Sequence, residues 1–230
     1  GALLSFPVFV RDYPPLEAVG ISIFHSISSF NNAGFDILGG GQSLIPYQND
    51  ILLNLVTGGL IIFGGLGFLV ILDILRNRSF RKLTLHSKVV ISTTLTLLIA
   101  GTLVFRFTEH MPWIGAFFNS VTARTAGFAT YPLNDFSHAG LFVMILLMFI
   151  GASPGSTGGG MKTTTFFVFL RSLSTASTNR PPEVFRRRIP NESLHKATTI
   201  ISLGLLLVIL VTALICHMEP QFSLSAVLFE

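Results

Sequence analysis

Charge is scarce in this sequence. Asp, Glu, Lys and Arg together make up 11% of the 230 residues, against roughly a quarter in an ordinary soluble domain. Half of the residues are hydrophobic, 22 are Phe, and the mean hydropathy is +0.68. So little polar side chain cannot cover a globule of this size, which argues against a soluble enzyme and for an integral membrane protein. Cysteine is reduced to Cys216, inside an apolar run, which excludes an intrachain disulfide and any C-x-x-C redox or zinc spacing. The six histidines include no H-x3-H pair and no accompanying carboxylate cluster, so no transition-metal site is expected. A basic flank and a small-residue cleavage site are missing from the apolar opening, Ala2 to Val10, which reads as the tail of an earlier spanning helix and not as a signal peptide. With Gly at position 1 and Glu230 inside a helix-like stretch, the sequence reads as a piece of a longer protein.

What is present is a series of apolar segments. Ile51 to Leu72 runs 22 residues without a charge, enough for about 30 Å of hydrocarbon as one continuous helix. Val89 to Phe105 and Thr198 to Cys216 are also uncharged and of spanning length. Ala139 to Ile150 is apolar but only twelve residues long; GASPGSTGGG (Gly151 to Gly160) follows, and apolar character resumes from Met161 to Leu170, so neither half spans alone. Leu16 to Phe30 and Pro112 to Ala123 are helix-like and too short to cross, as expected of re-entrant helices. Pro14, Pro15 and Pro112 suit the start of such helices, where a missing N–H is no loss.

The basic residues are unevenly spread. Arg76, Arg78, Arg81, Lys82 and Lys88 lie in one connection, and Arg171, Arg180, Arg186, Arg187, Arg188 and Lys196 in another. The positive-inside rule makes both cytoplasmic, so the re-entrant segments dip in from the outside. No aromatic stacking platform accompanies these clusters, and no nucleic-acid partner is expected.

The sequence also repeats. FHSISSFNNAGF (Phe24 to Phe35) and FFNSVTARTAGF (Phe117 to Phe128) align at an offset of 93 residues, sharing the first Phe, a Ser/Thr and the whole Ala-Gly-Phe. Each copy ends a short helix on a glycine, and a long apolar helix flanks it, giving a unit of helix, re-entrant helix, glycine loop, helix. A non-helical loop at membrane depth leaves carbonyls that hydrocarbon will not tolerate, so such a loop must line water or bind something. Gly34 and Gly127 permit unusual backbone dihedrals, and the C-terminal ends of the short helices aim partial negative charge at the same region. That arrangement suits a dehydrated monovalent cation. The plainer alternative is that Ala-Gly-Phe is a tight turn between helices; the repeated flanking architecture weighs against it.

NNAGFD (Asn31 to Asp36), TARTAGFAT (Thr122 to Thr130) and above all GASPGSTGGGMKTTTF (Gly151 to Phe166) resemble the Trk/Ktr/HKT superfamily of K+ transporters, closest to KtrB-type bacterial membrane subunits. The resemblance covers essentially the whole chain. It implies an all-α integral membrane fold with pseudo-fourfold pore architecture, each of four repeats giving one filter glycine. On that pattern residues 1–10 end a preceding transmembrane helix, 14–76 form the second repeat, 77–88 a cytoplasmic connection and 89–171 the third repeat. A basic cytoplasmic connection, 172–196, and the truncated start of a fourth repeat, 197–230, follow. Carried over by residue, Asn32, Ala33, Gly34, Thr125, Ala126 and Gly127 would supply K+ selectivity-filter carbonyls. Gly151, Gly155, Ser156, Thr157, Gly158, Gly159, Gly160 and Lys162 would belong to an intramembrane gating loop; five glycines in ten residues do suit a break between apolar half-helices. The implied activity is K+ uptake across the cell membrane, channel-like or Na+-coupled, with no organic cofactor. The implied partners are the lipid bilayer, a second copy in a homodimer and a cytosolic nucleotide-binding ring of KtrA type.

Rival chemistry is weak. Gly151-Ala-Ser-Pro-Gly155 matches the G-x-S-x-G nucleophile elbow of a serine hydrolase, but its base would have to be His195 or His217, and Pro154 disfavours the required turn. Gly155 to Thr163 misses a phosphate-binding G-x4-G-K-[ST] by the one inserted residue, Met161. Lys162 is either functional or paired, or snorkels to the cytoplasmic water. Arg124 is expected to reach outward to Asp135 or Glu109, the alternative being repulsion of cations, and Asp36 to attract cations at the mouth.

Overall fold

The computed structural model describes residues 1–178, 183–185 and 187–229. Arg180 and Arg186, counted above in the basic connection, and Glu230 lie outside the described residues. The chain opens with α1 (Ala2–Phe9), then α2 (Pro15–Phe30), whose first turn holds Pro15 where no N–H is needed. A long loop leads to α3 (Ile51–Leu66), capped by the Asp50 carboxylate, which accepts from the Leu53 N–H at 2.8 Å.

Next comes α4 (Phe68–Asn77), then α5 (Leu85–Thr108) with Thr84 as its cap, and α6 (Trp113–Ala123), which starts directly after Pro112. The remaining helices are α7 (His138–Phe149), α8 (Thr163–Thr178), α9 (Asn191–Met218) and α10 (Leu224–Phe229). Between α8 and α9 two short strands, β1 (Glu183–Val184) and β2 (Arg187–Arg188), pair antiparallel.

Two helices, α5 and α9, are each long and apolar enough to cross a membrane. The expected uninterrupted helix from Ile51 to Leu72 is not formed: α3 and α4 meet at 95°, with Gly67 between them at φ +86°. Two causes act together. Left-handed backbone at Gly67 is open to glycine and costly for other residues, and the polar groups freed by the break find partners in the segment between α7 and α8. Four of the last carbonyls of any helix lack an internal donor. Here the Gly64 and Gly65 carbonyls accept from the Thr157 and Ser153 N–H groups at 3.2 and 3.1 Å, and the Phe68 N–H donates to the Gly155 carbonyl at 3.1 Å.

The core brings the two related units together. Val8 and Phe9 of α1, Ile21 of α2, Leu53 and Ile61 of α3, and Phe118 of α6 form one apolar cluster. Close approach of α5 and α6 relies on small residues, as membrane helix pairs commonly do. Ser120 Oγ donates to the Leu98 carbonyl at 3.0 Å, and a Cβ at Gly101 would collide with it. By contrast α9 leaves most of its leucines exposed, an all-round apolar surface that suits a lipid-facing helix.

Two glycines of α3 give opposite expectations. A Cβ at Gly64 would collide with the Phe30 carbonyl, whereas one at Gly59 meets nothing within 4 Å. In the complete detergent-solubilised protein, Gly64→Ala is expected to cost about 1–3 kcal/mol and lower the thermal midpoint. Gly59→Ala is expected to leave it unchanged or raise it slightly, since Ala gains about 0.5–1 kcal/mol over Gly within a helix. Equal midpoints for the two variants would contradict the close packing of α3 against the end of α2.

Candidate functional site

The two glycine loops leave α2 and α6 in the same way. After α2 the Asn32 and Ala33 N–H groups bond back to the Ser29 and Ser28 carbonyls, and after α6 the Thr125, Ala126 and Gly127 N–H groups converge on the Thr122 carbonyl. A hydroxyl of each helix then clamps the far side of its loop: Ser28 Oγ donates to the Phe35 carbonyl at 2.7 Å, Thr122 Oγ1 to the Phe128 carbonyl at 2.9 Å. Gly34 and Gly127 both have positive φ, +71° and +82°, and Asn32 shares that region at +53°. Between the clamped ends the carbonyls of Asn32, Ala33, Gly34, Thr125, Ala126 and Gly127 accept no hydrogen bond from any of the described residues.

The loops also touch. Thr125 Oγ1 donates to Asn32 Oδ1 at 2.7 Å, a bond between positions 93 residues apart, the repeat offset itself. A Cβ at Gly34 would collide with the Ala126 carbonyl, while one at Gly127 meets nothing within 4 Å. His25, at the position equivalent to Phe118, is buried in the same way, meeting the Phe9 ring edge-on and the Phe128 ring at a tilt and bonding Thr57 Oγ1 at 2.7 Å.

The third element is the segment from Gly151 to Gly160. Its neck is closed by backbone: the Ala152 N–H donates to the Gly159 carbonyl, the Thr163 N–H to the Ala152 carbonyl, and Gly151 and Gly160 approach too closely for side chains on either. Its tip docks into the α3–α4 break through Ser153, Gly155 and Thr157, as described above. Thr157 Oγ1 donates to the Phe30 carbonyl at 2.9 Å and accepts from Asn32 Nδ2 at the same distance. Lys162 Nζ donates to the Gly158 carbonyl at 2.7 Å, so this lysine is paired with the loop backbone. Gly158 leaves room for Ala152 and Thr125, and Ser156 Oγ turns back onto the Ser153 carbonyl. All the residues singled out in the three loops therefore fall in one connected region.

Other expectations are corrected. Arg124 reaches no carboxylate among the described residues: it is 7% exposed, its Nε has no hydrogen-bond partner among them, and it lines a cavity of about 340 Å³ with Thr125, Gly127, Tyr131, Gly159 and Gly160. Glu109 is instead occupied by Ser137, whose N–H and Oγ donate to it at 2.9 and 2.6 Å. Asp36 is not one of these corrections: it directly follows the first glycine loop and accepts from the Leu38 N–H at 3.1 Å. The hydrolase elbow fails on geometry: Ser153 is fully buried, its Oγ accepts from Thr163 Oγ1 at 3.2 Å, and neither His195 nor His217 bonds it.

Two features escaped the sequence. One is the Asn32 side chain, considered there for its carbonyl alone. The other is the set Gly64, Gly65 and Gly67, whose signal was available: the 93-residue offset carries Gly67 onto Gly160 and Gly65 onto Gly158, so both helices that follow a glycine loop break at matching positions.

A family model described as TrkH, cation transport protein, matches residues 9–105 and 83–230. Among curated proteins the chain is similar to the potassium/sodium uptake protein NtpJ of Enterococcus hirae, 38% identical over 239 residues that cover 97% of this chain and 52% of that protein. It is similar also to the Ktr system potassium uptake protein B of Vibrio alginolyticus, 38% identical over 225 residues, covering 91% and 49% of the two. The crystal structure of the potassium transporter TrkH from Vibrio parahaemolyticus superposes with a TM-score of 0.72 at 18% identity, covering 95% of this chain and 49% of that one. That likeness is one of fold. The chain spans about half the length of the curated relatives it matches.

The closed neck sets a local expectation. Gly160 has φ +71° and a Cβ there would lie 2.8 Å from Gly151 Cα, whereas Gly159 has open space. Gly160→Ala is expected to cost about 1–2 kcal/mol in backbone strain alone and to raise hydrogen–deuterium exchange across residues 152–159 of the complete protein. Gly159→Ala should leave that exchange near the parental level. Equal protection in both variants would contradict the closed neck.

Proposed function

The chain belongs to the TrkH family of cation transport proteins, and from that premise we propose that it forms part of a K+ uptake pathway through the cell membrane. The observation that carries this reading is the set of six loop carbonyls, Asn32 to Gly34 and Thr125 to Gly127, without donors among the described residues in two touching, repeat-related loops. In hydrocarbon such groups would each cost several kcal/mol. A monovalent cation stripped of water supplies the missing partner, since carbonyl oxygens replace its hydration shell. The names of the relatives, potassium/sodium uptake and potassium uptake, favour K+ as the transported ion and leave Na+ as a second or coupled one.

On this reading residues 14–76 and 89–171 are the second and third of four repeats around one path. The packing of Gly34 against Ala126 supports a ring of this kind, because the open face of Gly127 is where an equivalent loop would make the same contact. The segment from Gly151 to Gly160 is the gate, held beside the loops by hydrogen bonds that motion can break. The chain works as a conduit and not as an enzyme. The basic connections, with Arg76 to Lys88 in one and Arg171 to Lys196 in the other, face the cytoplasm. There they would meet a nucleotide-binding ring of KtrA type, with two copies of the full protein side by side in the bilayer.

Two measurements test this in the complete protein reconstituted into liposomes. Gly127→Ser places a side chain at φ +82°, straining the loop backbone and filling the face against which the next loop would pack, and an unchanged size-exclusion profile checks that the variant folds. The preference for K+ over Na+ in tracer flux is expected to fall about tenfold, the equivalent of 1.4 kcal/mol, and an unchanged preference would remove the filter assignment. Deleting Ser156 to Gly160 is expected to raise K+ flux without any activator; unaltered flux would remove the gate.

A further inference from the structure

The proposed filter and the proposed gate share atoms, and Asn32 is where they do so. Its amide is buried, with 8% of the residue exposed. Oδ1 accepts from Thr125 Oγ1 in the neighbouring loop at 2.7 Å, and Nδ2 donates to Thr157 Oγ1 at 2.9 Å. Thr157 in turn uses its single hydroxyl proton on the Phe30 carbonyl, at the end of α2 just before the first loop. Each group therefore has its donor and acceptor roles assigned by its neighbours. The amide must present oxygen to Thr125 because its nitrogen is taken up by Thr157, and the Thr157 hydroxyl can accept from Asn32 because its proton goes to Phe30.

Three further contacts hold this arrangement. Gly64 has no side chain where a Cβ would collide with the Phe30 carbonyl and lie 2.8 Å from both Asn32 Nδ2 and Thr157 Oγ1. The Thr157 N–H is fixed by the Gly64 carbonyl. Gly158, the next residue, abuts Thr125: a Cβ on it would come within 2.9 Å of Thr125 Cγ2. Thr157 and Gly158 thus sit against Asn32 and Thr125, the two equivalent positions of the repeats, at once. The other acceptors near Asn32 Nδ2, the Phe30 and Ile61 carbonyls, lie at 3.3 and 3.4 Å, the long end of a hydrogen bond.

We propose that Asn32 is a positioning residue that makes ion selectivity depend on the gate: the docked Thr157 hydroxyl orients the Asn32 amide, and the oriented amide holds Thr125 and with it the second loop. When the gate segment leaves, Nδ2 loses its short acceptor and keeps only the two long ones, the amide is held less tightly, and the bond between the two loops weakens. Chains of hydrogen bonds of this kind reinforce one another, so loss at one end weakens the other. This inference rests on the filter and gate reading above and adds to it that the two are not independent.

The test uses the complete protein in phosphatidylethanolamine–phosphatidylglycerol liposomes, reading tracer K+ flux and the K+ to Na+ preference together. Thr157→Val keeps the shape and removes the hydroxyl; it is expected to raise basal flux and to lower the K+ preference roughly fivefold, the scale of one buried hydrogen bond. Thr157→Ser should restore both towards the parental values, which general damage to the fold would not allow. Asn32→Ala, or Thr125→Val where the former does not fold, is expected to lower the preference to a similar degree. Combined with Thr157→Val, either should add little, because all three residues act in one chain. A changed flux with unchanged preference in Thr157→Val, or losses that multiply in the double variant, would overturn the coupling. Those outcomes differ from failure of the underlying reading, which would appear as unaltered behaviour of Gly127→Ser and of the Ser156 to Gly160 deletion.

Discussion

A backbone that leaves helical geometry inside a membrane must find partners for its N–H and C=O groups, and the architecture of this chain follows from how that demand is met. The helices α2, α3, α6 and α7 all end in irregular backbone within one connected region. The orphaned groups of α3 are answered by the segment between α7 and α8, whose own irregular backbone is answered by α3 in return. Neither break would be tolerable alone. Ser28 and Thr122 perform a smaller version of the same service, each returning a hydroxyl from a short helix to a loop carbonyl. Among the described residues, the carbonyls of Asn32 to Gly34 and of Thr125 to Gly127 are left out of this mutual pairing.

The apolar segments, their interruption at Gly151 to Gly160 and the two short helices α2 and α6 were legible because each depends on local chemistry: unbroken hydrophobicity, clustered glycine, proline at a helix start. The ends of α2 and α6 at the residues before NNAGF and RTAGF were legible for the same reason. What escaped was nonlocal. The composition of Ile51 to Leu72 is compatible with one straight helix, and the right-angled bend at Gly67 arises because a segment almost ninety residues further on supplies the bonds that stabilise it. Asn32 looked like one more loop residue; its importance comes from meeting Thr125 and Thr157, which no periodicity in its own neighbourhood announces. Arg124 was misplaced by a rule that sends long basic side chains to water, whereas packing around α6 and the second loop keeps it inside.

Glycine has three different tasks here. At Gly67, Gly34 and Gly127 it provides left-handed backbone, at Gly64 and Gly101 it lets another chain segment approach, and at Gly151 and Gly160 it lets the chain close on itself. Counting glycines would not separate these tasks. Comparing what a methyl group would strike at each position does.

The bond between Thr125 and Asn32 has a consequence for how such a protein can have arisen. Two positions related by internal repetition hold different side chains, one donating and one accepting. Identical subunits arranged in a ring would carry the same residue at every such position, so any change made at one contact would be made at all of them. Fusion of the copies into one polypeptide lifts that restriction, and each sector becomes free to specialise. A third segment, here Gly151 to Gly160, can then pack against one asymmetric pair of side chains, which strictly identical copies could not offer.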